Sequence, residues 1–302
     1  MPQPALGEAP RTRVLPVPAP APLPVTPVSH DGRRVSEEEY WRDYYLESDI
    51  HYEWNNGILE EKPVSDFETL VVYWWFVELL GHYLRVHPIA RIVFLEMGFR
   101  LPLPTGTVIR KPDLAVLRHD NPVTPRPLDA SYRGVFDLCV EALSDKERRG
   151  IERDTIVKKA EYATGGVPEY YILHREPERL AFFYRTPGGL YVPLEPEDGM
   201  IHSRVLPGLR FRVDDLIRRP EHDTLRHDPI YADYVLPGWR ASEERAAAET
   251  QRADTEAQAR RAAEERAATA LQARLAAERQ AHAALEALAR FQAQPRAPSD
   301  ES

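Results

Sequence analysis

Between residues 36 and 218 the apolar positions switch repeatedly between helical and strand spacing. Ser36, followed three residues later by Glu39, is a capping box that opens a short helix through Tyr40 and Tyr44. The run from His51 to Leu59 has Asn56-Gly57 at its centre, and this pair tolerates positive φ, so a hairpin is predicted. Residues 67–86 form a strongly apolar helix punctuated by Glu68, Glu78 and His82. Arg91–Leu101, Val108–Leu117 and Val135–Leu143 read as strands. Ile151–Ala163 reads as a helix that stops at Thr164-Gly165-Gly166. Glu169–Leu173, Leu180–Tyr184, Leu190–Pro193 and Ile201–Val205 complete the domain as short strands. This order predicts an α/β fold, a mixed sheet flanked by helices.

Outside that core the pattern changes. The first thirty residues hold nine prolines among Ala, Val and Leu. Proline fixes φ and removes a backbone donor, so residues 1–35 are expected to form a disordered leader. Residues 36–218 are the folded domain and 219–240 a connector. Residues 241–292 contain neither Gly nor Pro, and 241–290 hold 20 Ala, 8 Glu and 8 Arg, which predicts a long C-terminal α-helix. Leu271 and Leu285 share a heptad position and Leu288 continues the seam, but Arg274 and Glu278 interrupt it. A coiled coil and a solvated helix both fit that spacing. Residues 293–302 read as a disordered tail.

Composition narrows the classes. The chain has 302 residues, 43% of them hydrophobic, and a formal charge of −9. The first 240 residues alone carry 30 basic against 37 acidic side chains, which disfavours general coating of nucleic acid but leaves a local basic cleft open. The longest apolar stretch, Leu70 to Val77, is too short to span a bilayer, so no membrane partner is expected. Cys139 is the single cysteine; it excludes an intramolecular disulfide framework and fits a reducing cytoplasm.

No phosphate-binding glycine loop, nucleophile elbow or zinc helix occurs. What stands out is a set of acids in apolar company. Asp113 opens the strand Asp113-Leu114-Ala115-Val116-Leu117, and Glu141 lies within Leu138-Cys139-Val140-Glu141-Ala142-Leu143. Carboxylates on partly buried strands are costly unless paired or metal-bound. Two on neighbouring strands can share one divalent cation with a phosphate oxygen, the arrangement of metal-assisted hydrolysis. Asp154, Lys158 and Tyr162 are spaced by four and stack on one helix face, so Lys158 can supply a cation that orients water. Glu53, before the hairpin turn, is a fourth candidate. Each has an ordinary reading as well: Asp113 as a turn cap, Glu141 paired with Arg148 or Arg153, Lys158 as a solvated helix charge.

Taken together, Glu53 and Gly57, Pro112-Asp113, Val140 to Ser144, the Asp154/Lys158/Tyr162 spacing, Gly166 to Ile172 and Val205-Leu206-Pro207-Gly208-Leu209 make a recognisable pattern. It resembles the Uma-type restriction endonucleases of the PD-(D/E)xK superfamily, over residues 36–218. The resemblance implies a restriction-endonuclease-like core and magnesium-dependent (or manganese-dependent) hydrolysis of phosphodiester bonds, with DNA as substrate. Carried over, Asp113 and Glu141 are the metal ligands, Lys158 orients water or stabilises charge, and Glu53 assists. In the superfamily's usual motif the lysine sits two residues after the second acid; here Leu143 holds that place, so the lysine comes from the helix. The histidine that opens the second helix in many relatives is absent from Ser65-Asp66-Phe67-Glu68. A competing expectation is a catalytically inactive assembly module that oligomerises through its C-terminal helix. A homodimer through the core or that helix suits either reading.

Overall fold

The computed structural model describes residues 27–292; the first 26 residues of the leader and the tail at 293–302 lie outside them. The chain divides into two units, one up to Pro220 and one from Glu221.

In the first unit, α1 (Glu37–Glu39) starts at Ser36, whose side chain accepts the Glu39 N–H, and runs into a π turn at Tyr40–Tyr44. β1 (Tyr52–Asn55) and β2 (Ile58–Glu61) make the expected hairpin, with φ of +47° at Asn56 and +93° at Gly57. α2 (Phe67–Val86) is capped by Asp66. Five strands follow: β3 (Ala90–Val93), β4 (Phe99–Leu103), β5 (Gly106–Arg110), β6 (Leu114–Arg118) and β7 (Leu138–Ala142). A continuous helical run then comprises α3 (Arg148–Glu152), a π turn at Arg153–Val157 and α4 (Lys158–Gly165), closed by Gly166 at φ +92°. β8 (Glu169–Leu173), β9 (Ala181–Arg185), β10 (Tyr191–Pro193), β11 (Met200–His202), β12 (Arg210–Arg212) and α5 (Val213–Arg218) complete the unit.

The strands form an antiparallel sheet in the order β2-β1-β5-β4 and a mixed sheet in the order β10-β9-β8-β7-β6-β3, with β11 and β12 as a separate pair. β7 and β8 are parallel and joined across α3 and α4; the other pairs of the mixed sheet are antiparallel. This is the mixed sheet flanked by helices that the pattern predicts.

Two predicted strands are each split. Arg91–Leu101 becomes β3 and β4, separated by Leu95 and Glu96 at φ +59° and +51°. Val108–Leu117 becomes β5 and β6, which lie in different sheets. Pro112 sits at that crossing, where a residue without an N–H cannot extend a ladder. Lys111-Pro112-Asp113 therefore carries the chain from one sheet to the other.

A core cluster joins Phe99, Leu101 and Val108 of the first sheet to Ala115, Leu117, Cys139, Tyr170 and Ile172 of the second and to Tyr162 of α4. α2 lies against the mixed sheet from residues of the opposite parity, its Phe76 ring 6.0 Å from Tyr171. Ala115 and Cys139 thus mark the face of β6 and β7 that looks toward α4.

The second unit contains α6 (His222–Leu225) and α7 (Pro237–Gln292). Proline at the first helical position costs no hydrogen bond, and α7 starts there, four residues before the Gly- and Pro-free stretch. Among the described residues no helix is long and apolar enough to cross a membrane.

Candidate active site

The alternation of β6 and β7 puts Asp113 and Glu141 on one side. Leu114 pairs with Val140 and Ala115 with Cys139, so the next position outward sets Asp113 opposite Glu141. Asp113 is fixed there by its own side chain: Oδ2 accepts the Ala142 N–H at 2.7 Å. Its other oxygen accepts from Lys62 Nζ at 2.9 Å. The Asp113 side chain keeps a quarter of its surface exposed, whereas Glu141 is buried.

Glu141 Oε1 accepts from Tyr162 Oη at 2.9 Å and lies 3.0 Å from Lys158 Nζ. The helix after β7 thus delivers both partners. The same ammonium lies 3.2 Å from Asp154 Oδ1 and 3.3 Å from Glu53 Oε1. Glu53 reaches it from β1, in the other sheet, and is fixed by the Lys111 N–H at 2.8 Å and by Arg110 Nη1 at 3.2 Å. The site is therefore built between the two sheets, with α4 supplying the cation.

The four expected residues do not form a single cluster of acids. Glu53, Glu141 and Asp154 surround Lys158, while Asp113 faces Glu141 and is paired with Lys62. Lys62 and Arg110 are not singled out by the sequence pattern. Lys62 follows β2 and is 51 residues from Asp113, so no local spacing connects them. Arg110 is fully buried and also binds Glu161 through two hydrogen bonds, of 2.6 and 2.8 Å. Its one visible signal is an arginine ending an apolar strand. The ordinary pairings considered for Glu141 do not occur: Arg148 binds Glu152, and Arg153 donates to the Glu61 carbonyl.

The electrostatics follow from burial. Burial pushes the Glu141 carboxyl up to about 8, with Lys158 pulling against it and the Asp113 charge adding to the rise. Burial also opposes ionisation of Glu53, but Lys158 and Arg110 overcome it and hold its pKa well below the ordinary carboxylate range. Lys158 and Lys62 show the reverse balance. Burial disfavours their charge, and the surrounding carboxylates, led by Asp154 for Lys158 and by Asp113 for Lys62, raise both pKa values above the usual lysine value.

These residues fit a divalent cation in their donor chemistry. Two carboxylates on facing strand positions are hard oxygen ligands. Both recorded partners of Glu141 are on Oε1, so Oε2 makes no hydrogen bond among the described residues.

Asp66, Asp145 and His174 also gather, with ligand atoms within 4.8 Å of one another. Arg175 binds both aspartates, and His174 Nδ1 accepts the Glu176 N–H at 3.0 Å, which leaves its proton on Nε2, 3.5 Å from Asp145. A ring with its proton on Nε2 has no lone pair to offer a metal there.

A family model described as "putative restriction endonuclease", Uma2, matches residues 37–214. The chain belongs to the Uma2 family. The match spans every residue of the site described above. A crystal structure of a putative nuclease of the DUF820 group from Anabaena variabilis is similar at 15% identity and a TM-score of 0.45, over 57% of this chain and 92% of that one. No curated protein matches significantly.

Proposed function

We propose that this Uma2 protein is a metal-dependent endonuclease that hydrolyses phosphodiester bonds in DNA. The observation that carries the reading is the meeting of Asp113 and Glu141 on facing positions of β6 and β7, with Lys158 Nζ 3.0 Å from Glu141. Asp113 and Glu141 would hold the cation, Mg2+ or Mn2+, through carboxylate oxygens. Bound there, a divalent ion would acidify a water and offset charge on the phosphate.

The chain's own residues divide the remaining work. Asp113 is held by the Ala142 N–H, so its carboxylate is oriented before any ligand arrives. Lys158 has three N–H groups and three carboxylates around it. Its ammonium would orient a water or balance charge on a phosphate oxygen. Glu53 and Asp154 hold Lys158 in place, and Glu53 acts as a positioning residue. Tyr162 fixes the Glu141 carboxylate by its hydroxyl.

The test pairs magnesium titration by calorimetry with nicking of supercoiled plasmid, on wild type, Asp113→Asn and Glu141→Gln. Loss of both metal binding and nicking in the variants supports the assignment. Unchanged nicking in a double variant sinks it.

α7 favours a second reading. Leu271, Leu275, Leu285 and Leu288 are exposed along a helix of 56 residues, so an assembly role through this helix is the alternative to catalysis. Loss of self-association on ending the chain at Arg240, in a protein that never cleaves, would favour it.

A further inference from the structure

Beside the carboxylates lies a groove of about 410 Å³ whose lining brings the cations Lys62, Lys146, Arg149 and Arg153 against the carboxylates Asp31, Glu61 and Glu147. Lys62 is the residue that holds Asp113, so the groove opens next to the proposed centre. Three of the four cations come from the turn and helix that follow β7.

Their engagement differs. Lys146 is exposed and makes no ion pair with any described residue. Arg153 gives Nη1 to the Glu61 carbonyl, while its buried Nε makes no hydrogen bond and lies 3.6 Å from Asp154 Oδ1. Arg149, with 62% of its side chain exposed, crosses the groove to Asp31, Nη1 to Oδ2 at 2.6 Å.

Asp31 is delivered by a strap along the edge of β2. Gly32 donates to the Leu59 carbonyl at 2.8 Å, Leu59 donates to Arg33 at 2.9 Å, and Val35 donates to Gly57 at 2.9 Å. Asp31 Oδ1 accepts the Glu61 N–H at 2.9 Å, which aims its second oxygen at Arg149. A carboxylate offers guanidinium the same oxygens that a phosphate does.

We propose that this groove seats a backbone phosphate of the DNA substrate, held by Lys146, Arg149 and Arg153, and that Asp31 is the resident anion this phosphate displaces. The inference rests on the endonuclease reading and adds where the strand is gripped.

The test is fluorescence anisotropy of a labelled DNA duplex on the full-length protein across a salt series. Calcium replaces magnesium, to occupy the oxygen ligands. Arg149→Ala and Lys146→Ala are expected to weaken binding about 3–10-fold and to reduce the slope of log K against log salt by roughly one each. Asp31→Asn keeps the acceptor for the Glu61 N–H and removes the charge, so it is expected to tighten binding several-fold, an effect that vanishes in an Arg149→Ala background. Affinities unmoved by all three substitutions overturn the proposal, as does wild type that binds no duplex. Magnesium-dependent nicking with unmoved affinities leaves the endonuclease reading standing and removes the groove. The expected shifts in a protein that never nicks do the reverse.

Discussion

Lys158 is the residue on which most of the site depends. Its ammonium is the shared partner of Glu53, Glu141 and Asp154, so Lys158→Met leaves three buried carboxylates facing one another. Breaking a buried ion pair from one side costs about 3–5 kcal/mol, and urea denaturation of the variant should show a loss of that size. Tyr162→Phe should cost only about 1 kcal/mol by the same measurement, since one hydrogen bond to Glu141 is lost and the ring remains packed. His174 supplies a pH dependence away from the centre. Burial, followed by the Arg175 charge, lowers its pKa below 6.5. On acidification the unfolded chain therefore takes up this proton before the folded one, and stability falls as the pH drops below about 6.5. That part of the slope should disappear in His174→Gln, read as denaturation midpoints between pH 7 and 5. At this scale Asp113, Glu141 and Lys158 were legible because an acid on an apolar strand, and a lysine at i+4 from an aspartate, are local patterns. Lys62 and Arg110 were not, since their partners lie about 50 residues away.

At the scale of elements, the helix after β7 and the crossing at Pro112 position the chemistry. The sequence period marks a helix over Ile151–Ala163, and the helical run contains a π turn at Arg153–Val157, directly before Lys158. Such turns insert a residue into the helical repeat and concentrate at functional sites. Here the turn carries Asp154 and precedes the lysine that both sheets share. Gly166 ends the run at φ +92°, where a Cβ is disfavoured, so Gly166→Ala should lower stability by about 1–2 kcal/mol in thermal or chemical denaturation. The split of Val108–Leu117 was less legible. The apolar runs Val108-Ile109 and Leu114–Leu117 are separated by Arg110-Lys111-Pro112-Asp113, which marks a break but does not tell that β5 and β6 belong to different sheets. That split also sets Arg110 and Asp113, three residues apart, to different tasks: one braces Glu53, the other faces Glu141.

For the whole molecule, the two units carry different expectations. The first contains the candidate centre and its groove. The second carries a helix of about 84 Å at 1.5 Å per residue, with leucines left exposed. Sedimentation of the full chain and of a chain ending at Arg240 should differ in association state if those leucines find a partner copy; identical states would remove the assembly role from α7. The sequence by itself determined the order of elements, the hairpin and the long helix, and it singled out the carboxylates and lysine as candidates. Those depend on spacing within a strand, a turn or a helix. Only the tertiary structure decided that Glu53 reaches Lys158 from another sheet, that Lys62 balances Asp113, that Lys158 and not a helix arginine meets Glu141, and that Asp31 lies on Arg149. Each of these pairings closes a long loop, and its partner is chosen by how two sheets and a helix pack, which no local period encodes.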